Sequence, residues 1–203
     1  MVGVDGDLVV PAEASAVVAF AHGSGSSRRS PRNRQVAAAL NDAGLATLLF
    51  DLLTEHEALD RANVFDIALL GSRLSAAADW LRSQPEAAEL PLGYFGASTG
   101  AAAALWAAVE PDGGRVGAIV SRGGRPDLAG DRLPLVQAPT LLIVGGDDRD
   151  VLALNRQARA RIRCESDLIL IPGAGHLFEE PGALEHVAVL AAAWFARYLG
   201  PDT

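Results

Sequence analysis

Residues 96–100 read Gly96-Ala97-Ser98-Thr99-Gly100, a Gly-x-Ser-x-Gly pentapeptide between the apolar run Leu92–Phe95 and the small-residue run Ala101–Ala104. A serine at such a strand-to-helix turn has its hydroxyl pushed out above the sheet. Side chains at Gly96 or Gly100 would collide with the neighbouring strand and helix at so tight a bend. The Thr99 N–H, opening the helix, is a free donor at a positive dipole end. Ser98 is thus placed as a nucleophile beside an anion site.

A serine hydroxyl is a poor nucleophile until a base takes its proton. Histidine suits that task, because an unperturbed imidazole titrates near about 6.5. The chain has four histidines. His176 ends Gly173-Ala174-Gly175-His176, a glycine-rich loop after the last predicted strand, free to swing over the sheet edge. His186 falls inside the last helix. His56 sits in an acidic loop with nothing to pair it, and His22 opens the loop His22-Gly23-Ser24-Gly25 and shapes it. The base needs an acid that holds its tautomer and stabilises the imidazolium. Asp147, Asp148 and Asp150 all follow the penultimate predicted strand and all qualify. A second oxyanion donor is expected from the loop after an earlier strand. Glycines at 23 and 25 let that backbone approach a ligand closely, so the Ser24 N–H is expected beside the Thr99 N–H.

These residues need a scaffold. Residues 3–10 alternate and end at Pro11, as an edge strand does. The continuous apolar run at 16–21 predicts a buried parallel strand, and further strands are expected at 46–50, 92–95, 116–120, 140–144 and 168–171. Helices are expected at 31–43, with Ser30 as cap and Pro31 at the first position, at 61–83, from Thr99 to Pro111, at 151–163 and at 182–199. Phe65, Leu69, Leu74, Leu81 and Trp80 are expected on the buried face of the second. A polar loop at 54–60, a loop at 121–131 and a short helix at 133–137 complete the pattern. Asp150 is expected to cap the helix that follows it. Strands alternating with helices predict an α/β fold, a mostly parallel sheet flanked by helices on both faces. Ligands of such sheets bind beyond the carboxyl ends of the strands. The loop 22–25, Asp51, Ser98, Arg122, Asp148 and His176 all fall at such ends. The short connection between 120 and 140 predicts no cap domain and an open, shallow site.

Length and charge narrow the function. The 203 residues, half of them hydrophobic, suit one domain over 1–203. The formal charge of −8 argues against nonspecific binding to nucleic acid or anionic membranes. No run approaches the ~20 apolar residues of a membrane span, and no signal peptide is visible, so a cytoplasmic protein is expected. Cys164 is the only cysteine and is read as structural. No His, Asp and Glu cluster has metal-ligand spacing, so no metal and no cofactor are expected. All 17 basic residues are arginine. Arg28, Arg29, Arg32 and Arg34 cluster near the first helix, while Arg122 and Arg125 follow another strand end. A solvated surface accounts for such a cluster. A substrate-binding reading gives Arg28, Arg29, Arg32 and Arg122 the capture of a carboxylate or phosphate.

The segments Ala21–Ser27, Ser30–Asn33, Thr47–Asp51, Tyr94–Gly100 and His176–Gly182 together resemble the α/β-hydrolase superfamily, and within it the small hydrolases related to dienelactone hydrolase. The resemblance spans nearly the whole chain; the N-terminus is short relative to it, as if a first strand were missing. Gly145-x-x-Asp148-x-x-Val151 matches the spacing such hydrolases show, which implies Asp148 as the acid, with Asp147 next in line. The order Ser98, Asp148, His176 is the order of that superfamily. Some members resemble domains fused to a phosphoribosyltransferase. Dienelactone hydrolases proper use cysteine where this chain has Ser98, so the resemblance implies ester or lactone chemistry with a different nucleophile. The expected partner is a small ester or lactone, anionic if the arginines bind it. The rival readings are a noncatalytic scaffold of the same fold and an acyltransferase using the same three residues.

Overall fold

The apolar runs form strands, and all but the last of these are largely shielded on both faces. The computed structural model describes residues 3–110 and 116–200. Its strands are β1 Gly6–Val9, β2 Ala16–Ala21, β3 Leu45–Phe50, β4 Leu92–Ala97, β5 Val116–Arg122, β6 Thr140–Gly145 and β7 Ser166–Ile171. They lie in the order β1-β3-β2-β4-β5-β6-β7. Every neighbouring pair is parallel except β1 with β3. Every residue of β2, β3, β4 and β6 is buried, as expected of parallel strands covered on both sides.

Helices cover the two faces. On one lie α1 Pro31–Asp42 and α6 Ala183–Leu199, packing Val36, Leu40, Val187 and Phe195 against Val18, Phe95 and Ile143. On the other lie α3 Ile67–Arg82, α4 Thr99–Ala107 and α5 Arg149–Arg159, whose Leu74, Ala103 and Ala158 join Ala19, Tyr94 and Ile119. Ser30 caps α1 by accepting the Asn33 N–H, and Pro31 occupies its first position. Eight of the nine residues of α4 are buried. Its small side chains let the helix lie close on the sheet, and Gly71 of α3 admits Trp106: a Cβ there would lie 2.4 Å from the indole.

The expected helix over 61–83 is two helices, α2 Arg61–Val64 and α3. Asp60 accepts the Ala62 N–H and Asp66 accepts the Leu69 N–H, so each aspartate starts its own helix instead of continuing one. Phe65 falls at the break and is 46% exposed, and Trp80 is 39% exposed; neither is a core residue. The apolar face of α3 is carried by Ile67, Leu70, Leu74, Ala78 and Leu81. β5 runs on to Arg122, and the expected loop and short helix are replaced by a 3-10 segment, Pro126–Leu135, kinked at Gly130. α5 starts at Arg149, so Asp150 lies in its first turn and Asp148 takes the cap position. α4 ends at Ala107, short of the expected Pro111, which lies outside the described residues.

Candidate active site

Ser98 connects β4 to α4 with φ 51° and ψ −122°, a conformation that costs a non-glycine residue of order 1–3 kcal/mol. Neighbouring backbone holds it there. The Ser98 N–H donates to Arg122 O at 3.2 Å, and Ser98 O accepts from Ala101 N at 3.1 Å and Arg125 N at 3.0 Å. The flanking glycines are required by space: a Cβ on Gly96 would lie 2.4 Å from Ala101 Cα, and one on Gly100 2.0 Å from Ala21 O.

His176 and Asp148 meet on the loops after β7 and β6. His176 Nδ1 lies 2.6 Å from Asp148 Oδ2, an interaction in which a neutral imidazole donates from Nδ1 and leaves Nε2 as the acceptor. Asp148 occupies a helix cap position yet makes no cap hydrogen bond with its side chain; its carboxylate faces His176, whereas Asp147 is exposed. The loops are laced together by Asp147 N–H to Ala174 O at 3.0 Å. Gly145 allows the approach, since a Cβ there would lie 2.3 Å from the same carbonyl. Glu180 accepts the Gly175 N–H at 2.9 Å, and Phe178 anchors the loop in the core. No hydrogen bond links Ser98 to His176 among the described residues. They converge on one segment: Arg122 O holds the Ser98 N–H, and a Cβ on the next residue, Gly123, would lie 3.6 Å from His176 Nδ1.

The loop 22–25 approaches Ser98 from the other side; a Cβ on Gly23 would lie 2.9 Å from Ser98 Cβ. The Thr99 N–H has no acceptor among the described residues. The Ser24 N–H is not free: it donates to Thr99 Oγ1 at 2.9 Å. A hydroxyl poised between the two loops is a feature that spacing alone does not reveal. His22 shapes the loop as expected, with Nδ1 3.0 Å from Gly23 O and Nε2 accepting the Leu52 N–H at 3.0 Å. These partners assign the neutral tautomer with the proton on Nδ1, and burial pushes its pKa down. Asn155 of α5, fully buried, donates to Gly124 O at 2.9 Å and fixes the segment under Ser98; no sequence motif marks it.

A cavity of about 370 Å³ opens beside this loop. Gly23, Ser24 and Thr99 form one wall, and Leu52, Leu53 and Leu70 contribute apolar surface. Neither Ser98 nor His176 lines it; Thr99, next to Ser98 in the chain, does.

The arginines separate. Arg28 lines the cavity but is committed to carboxylates: its N–H donates to Asp51 Oδ1 at 2.7 Å, its Nη1 binds Asp51 Oδ2, and its Nη2 binds Asp5 at 3.0 Å. The hydrogen bond to Asp51 raises its pKa further. It has no free donor face to offer a substrate carboxylate. Arg29 is exposed at the cavity rim. Arg32 binds Glu179 at 3.0 Å. Arg122 is only 8% exposed, and its Nη1 is buried without a partner among the described residues. Burial, and then the charge of Arg32, push its pKa down to about 10. Neither Arg32 nor Arg122 lines the cavity. Among the described residues no three His, Cys, Asp or Glu side chains gather as a metal site, and no helix is long and apolar enough to cross a membrane.

No family model matches the chain. A Mycobacterium tuberculosis protein provisionally named a phosphoribosyl transferase is 62% identical over 98% of this chain, which spans 45% of that relative's length. The crystal structure of a dienelactone hydrolase from Anabaena variabilis is 57% identical, with a TM-score of 0.93 over 98% of this chain and 93% of that one. Est1E from Butyrivibrio proteoclasticus shares the fold, with a TM-score of 0.81 at 15% identity over 96% of this chain and 94% of that one. The likeness to the Anabaena protein, end to end in both chains, and the mostly parallel sheet with Ser98 at the β4–α4 turn make this chain a member of the dienelactone-hydrolase-related α/β-hydrolases.

Proposed function

We propose that the protein is a serine hydrolase that cleaves a small carboxylic ester or lactone. Ser98 is the nucleophile, His176 the base and Asp148 the acid that orients it. The observation that carries the reading is the 2.6 Å contact of His176 Nδ1 with Asp148, on a loop packed against the segment that holds Ser98 in its positive-φ turn. With Nδ1 committed to Asp148, His176 Nε2 takes the Ser98 proton as Oγ attacks the carbonyl carbon. The carbonyl π pair moves onto oxygen, beside the Thr99 N–H. Collapse expels the alkoxide, which leaves with the proton from His176, and water repeats the cycle on the acyl-enzyme. Hydrogen bonds between nucleophile and base of this kind tighten when substrate binds.

The strain stored at Ser98 favours catalysis over a scaffold role, since such conformations cluster at functional sites. The cavity beside the loop favours an uncharged, short acyl group: its apolar surface comes from leucines, and Arg28 at its wall is neutralised. The phosphoribosyl transferase name of the M. tuberculosis relative is not carried over, because this chain corresponds to 45% of that protein.

Turnover of short neutral p-nitrophenyl esters tests the reading. Ser98→Ala is expected to lose activity by orders of magnitude. Asp148→Asn is expected to lose about 10⁴-fold by favouring the wrong imidazole tautomer, while Asp147→Asn stays near wild type. Retention of more than about a tenth of turnover in Ser98→Ala would overturn the assignment, given the size of losses at such nucleophiles.

A further inference from the structure

The hydrogen bond between Ser24 and Thr99 changes what the oxyanion site is made of. Two backbone N–H groups are the usual arrangement at a Gly-x-Ser-x-Gly turn. Here one of the two expected donors, the Ser24 N–H, points at Thr99 Oγ1 from 2.9 Å. We infer that the Thr99 side-chain hydroxyl is itself a catalytic donor to the substrate oxyanion, and that the Ser24 N–H acts from behind it. This rests on the ester-hydrolase reading and adds a catalytic group to it.

The chemistry of a hydroxyl carries the argument. It offers one proton and two lone pairs. One lone pair of Thr99 Oγ1 takes the Ser24 N–H, and among the described residues nothing accepts its proton. Thr99 is 4% exposed, yet it lines the cavity together with Gly23 and Ser24. The proton can therefore find an acceptor on the cavity side, where the carbonyl oxygen of a bound ester would lie. An N–H donating into the hydroxyl polarises it and strengthens it as a donor. A hydrogen bond from a hydroxyl to an oxyanion is short and charge-assisted. Thr99 is also rigid: its β-branched side chain has few rotamers, and Gly100 and Ala101–Ala104 behind it are buried. One residue thus supplies both donors, N–H and O–H, fixed before substrate arrives.

During attack the Ser98 Oγ–carbon bond forms, and the carbonyl π pair becomes a lone pair on oxygen. Thr99 N–H and Thr99 Oγ1–H hydrogen-bond to that oxygen without giving up their protons. When the tetrahedral intermediate collapses, the pair returns to the carbonyl and the leaving alcohol takes the proton held by His176.

Thr99→Val, Thr99→Ala and Thr99→Ser distinguish this from a structural hydroxyl that merely occupies Ser24. Each is assayed for kcat and KM with p-nitrophenyl butyrate, and for affinity toward butylboronic acid, which mimics the tetrahedral adduct. Loss of one oxyanion donor lowers kcat by about 10²–10³. We expect that loss in the valine and alanine variants, with KM within a few-fold and boronic acid affinity falling in parallel with kcat. The serine variant, which keeps the hydroxyl, should stay within about tenfold of wild type. If the valine variant does not fold, the serine–alanine pair still decides, because both lack the methyl group and only one has the hydroxyl. The proposal is overturned if kcat of the alanine or valine variant matches or exceeds the serine variant, as would follow if removing the hydroxyl released the Ser24 N–H to serve directly. Absence of turnover in the wild type, by contrast, overturns the ester-hydrolase reading and this proposal with it.

Discussion

On the β3 side of Ser98, Arg28 lies among Asp5, Asp7 and Asp51. On the β5 side, Arg122 is buried, no carboxylate among the described residues pairs with it, and the charge that shifts it is another arginine, Arg32. Arg28 lies in the loop between β2 and α1, and Arg122 ends β5. The difference lies in what the rest of the fold brings to each place. β1 pairs antiparallel with β3, carrying Asp5 and Asp7 to the end of β3 where Asp51 already sits. Among the described residues no carboxylate pairs with Arg122 in the same way. An arginine near such a loop is thus free to bind an anion only if the fold has not already satisfied it. Arg28 is satisfied, and Arg122 is sealed away from the cavity.

The comparison can be broken by removing partners. The largest effect is expected from Asp51→Ala, which removes the acceptor of the Arg28 backbone N–H and of its Nη1 at once. Tm should fall by several degrees, while Asp5→Ala, whose side chain is 77% exposed, should leave it unchanged within error. A Tm for Asp51→Ala equal to wild type would remove the distinction between the two sides. A smaller effect of opposite sign is expected from Arg122→Met. Replacing a buried, unpaired charge by an apolar side chain of similar length is neutral or stabilising, by up to about 1–3 kcal/mol in urea unfolding. Destabilisation there would mean that the guanidinium has a partner and that the two sides are alike.

The smallest effect sharpens the β3 side through pH. His22 is half-buried, its pKa is lowered by desolvation, and its Nε2 already accepts the Leu52 N–H. Its folded pKa lies below the unfolded value of about 6.5, so between the two the unfolded chain binds the extra proton. The contribution to stability is therefore complete above about pH 6.5 and is lost as pH falls toward the folded pKa. His22→Gln should show lower stability at pH 8 and a shallower decline in this window, measured by urea unfolding at a series of pH values. An unchanged slope would mean that His22 titrates freely.

Much of this was legible in the sequence, and the exceptions have a common origin. The strands were legible because parallel strands covered on both faces are continuous apolar runs, as at Ala16–Ala21 and Thr140–Gly145. The turn at Ser98 was legible because only glycine fits at 96 and 100. Helical periodicity ran through Phe65 and Asp66 without marking a break, since aspartate caps and aspartate surfaces look alike until the chain turns. Hydrophobicity alone places Trp80 on the buried layer, although α3 buries a different stripe. Nothing in the local sequence separates Asp147 from Asp148 except the resemblance; the geometry turns Asp148 toward His176. The direction of the Ser24 N–H and the pairing of Arg28 depend on residues 75 and 23 positions away, and no local pattern encodes them.

The central claim is that Ser98 is activated by His176, and reaction with a fluorophosphonate probe tests it most directly. With intact protein and mass-spectrometric mapping, the account predicts one adduct per chain, on Ser98, absent in Ser98→Ala and formed at least about 100-fold more slowly in His176→Gln. Labelling that is absent, that falls on Ser24, Ser26 or Ser27 instead, or that proceeds at the wild-type rate without His176 would contradict it.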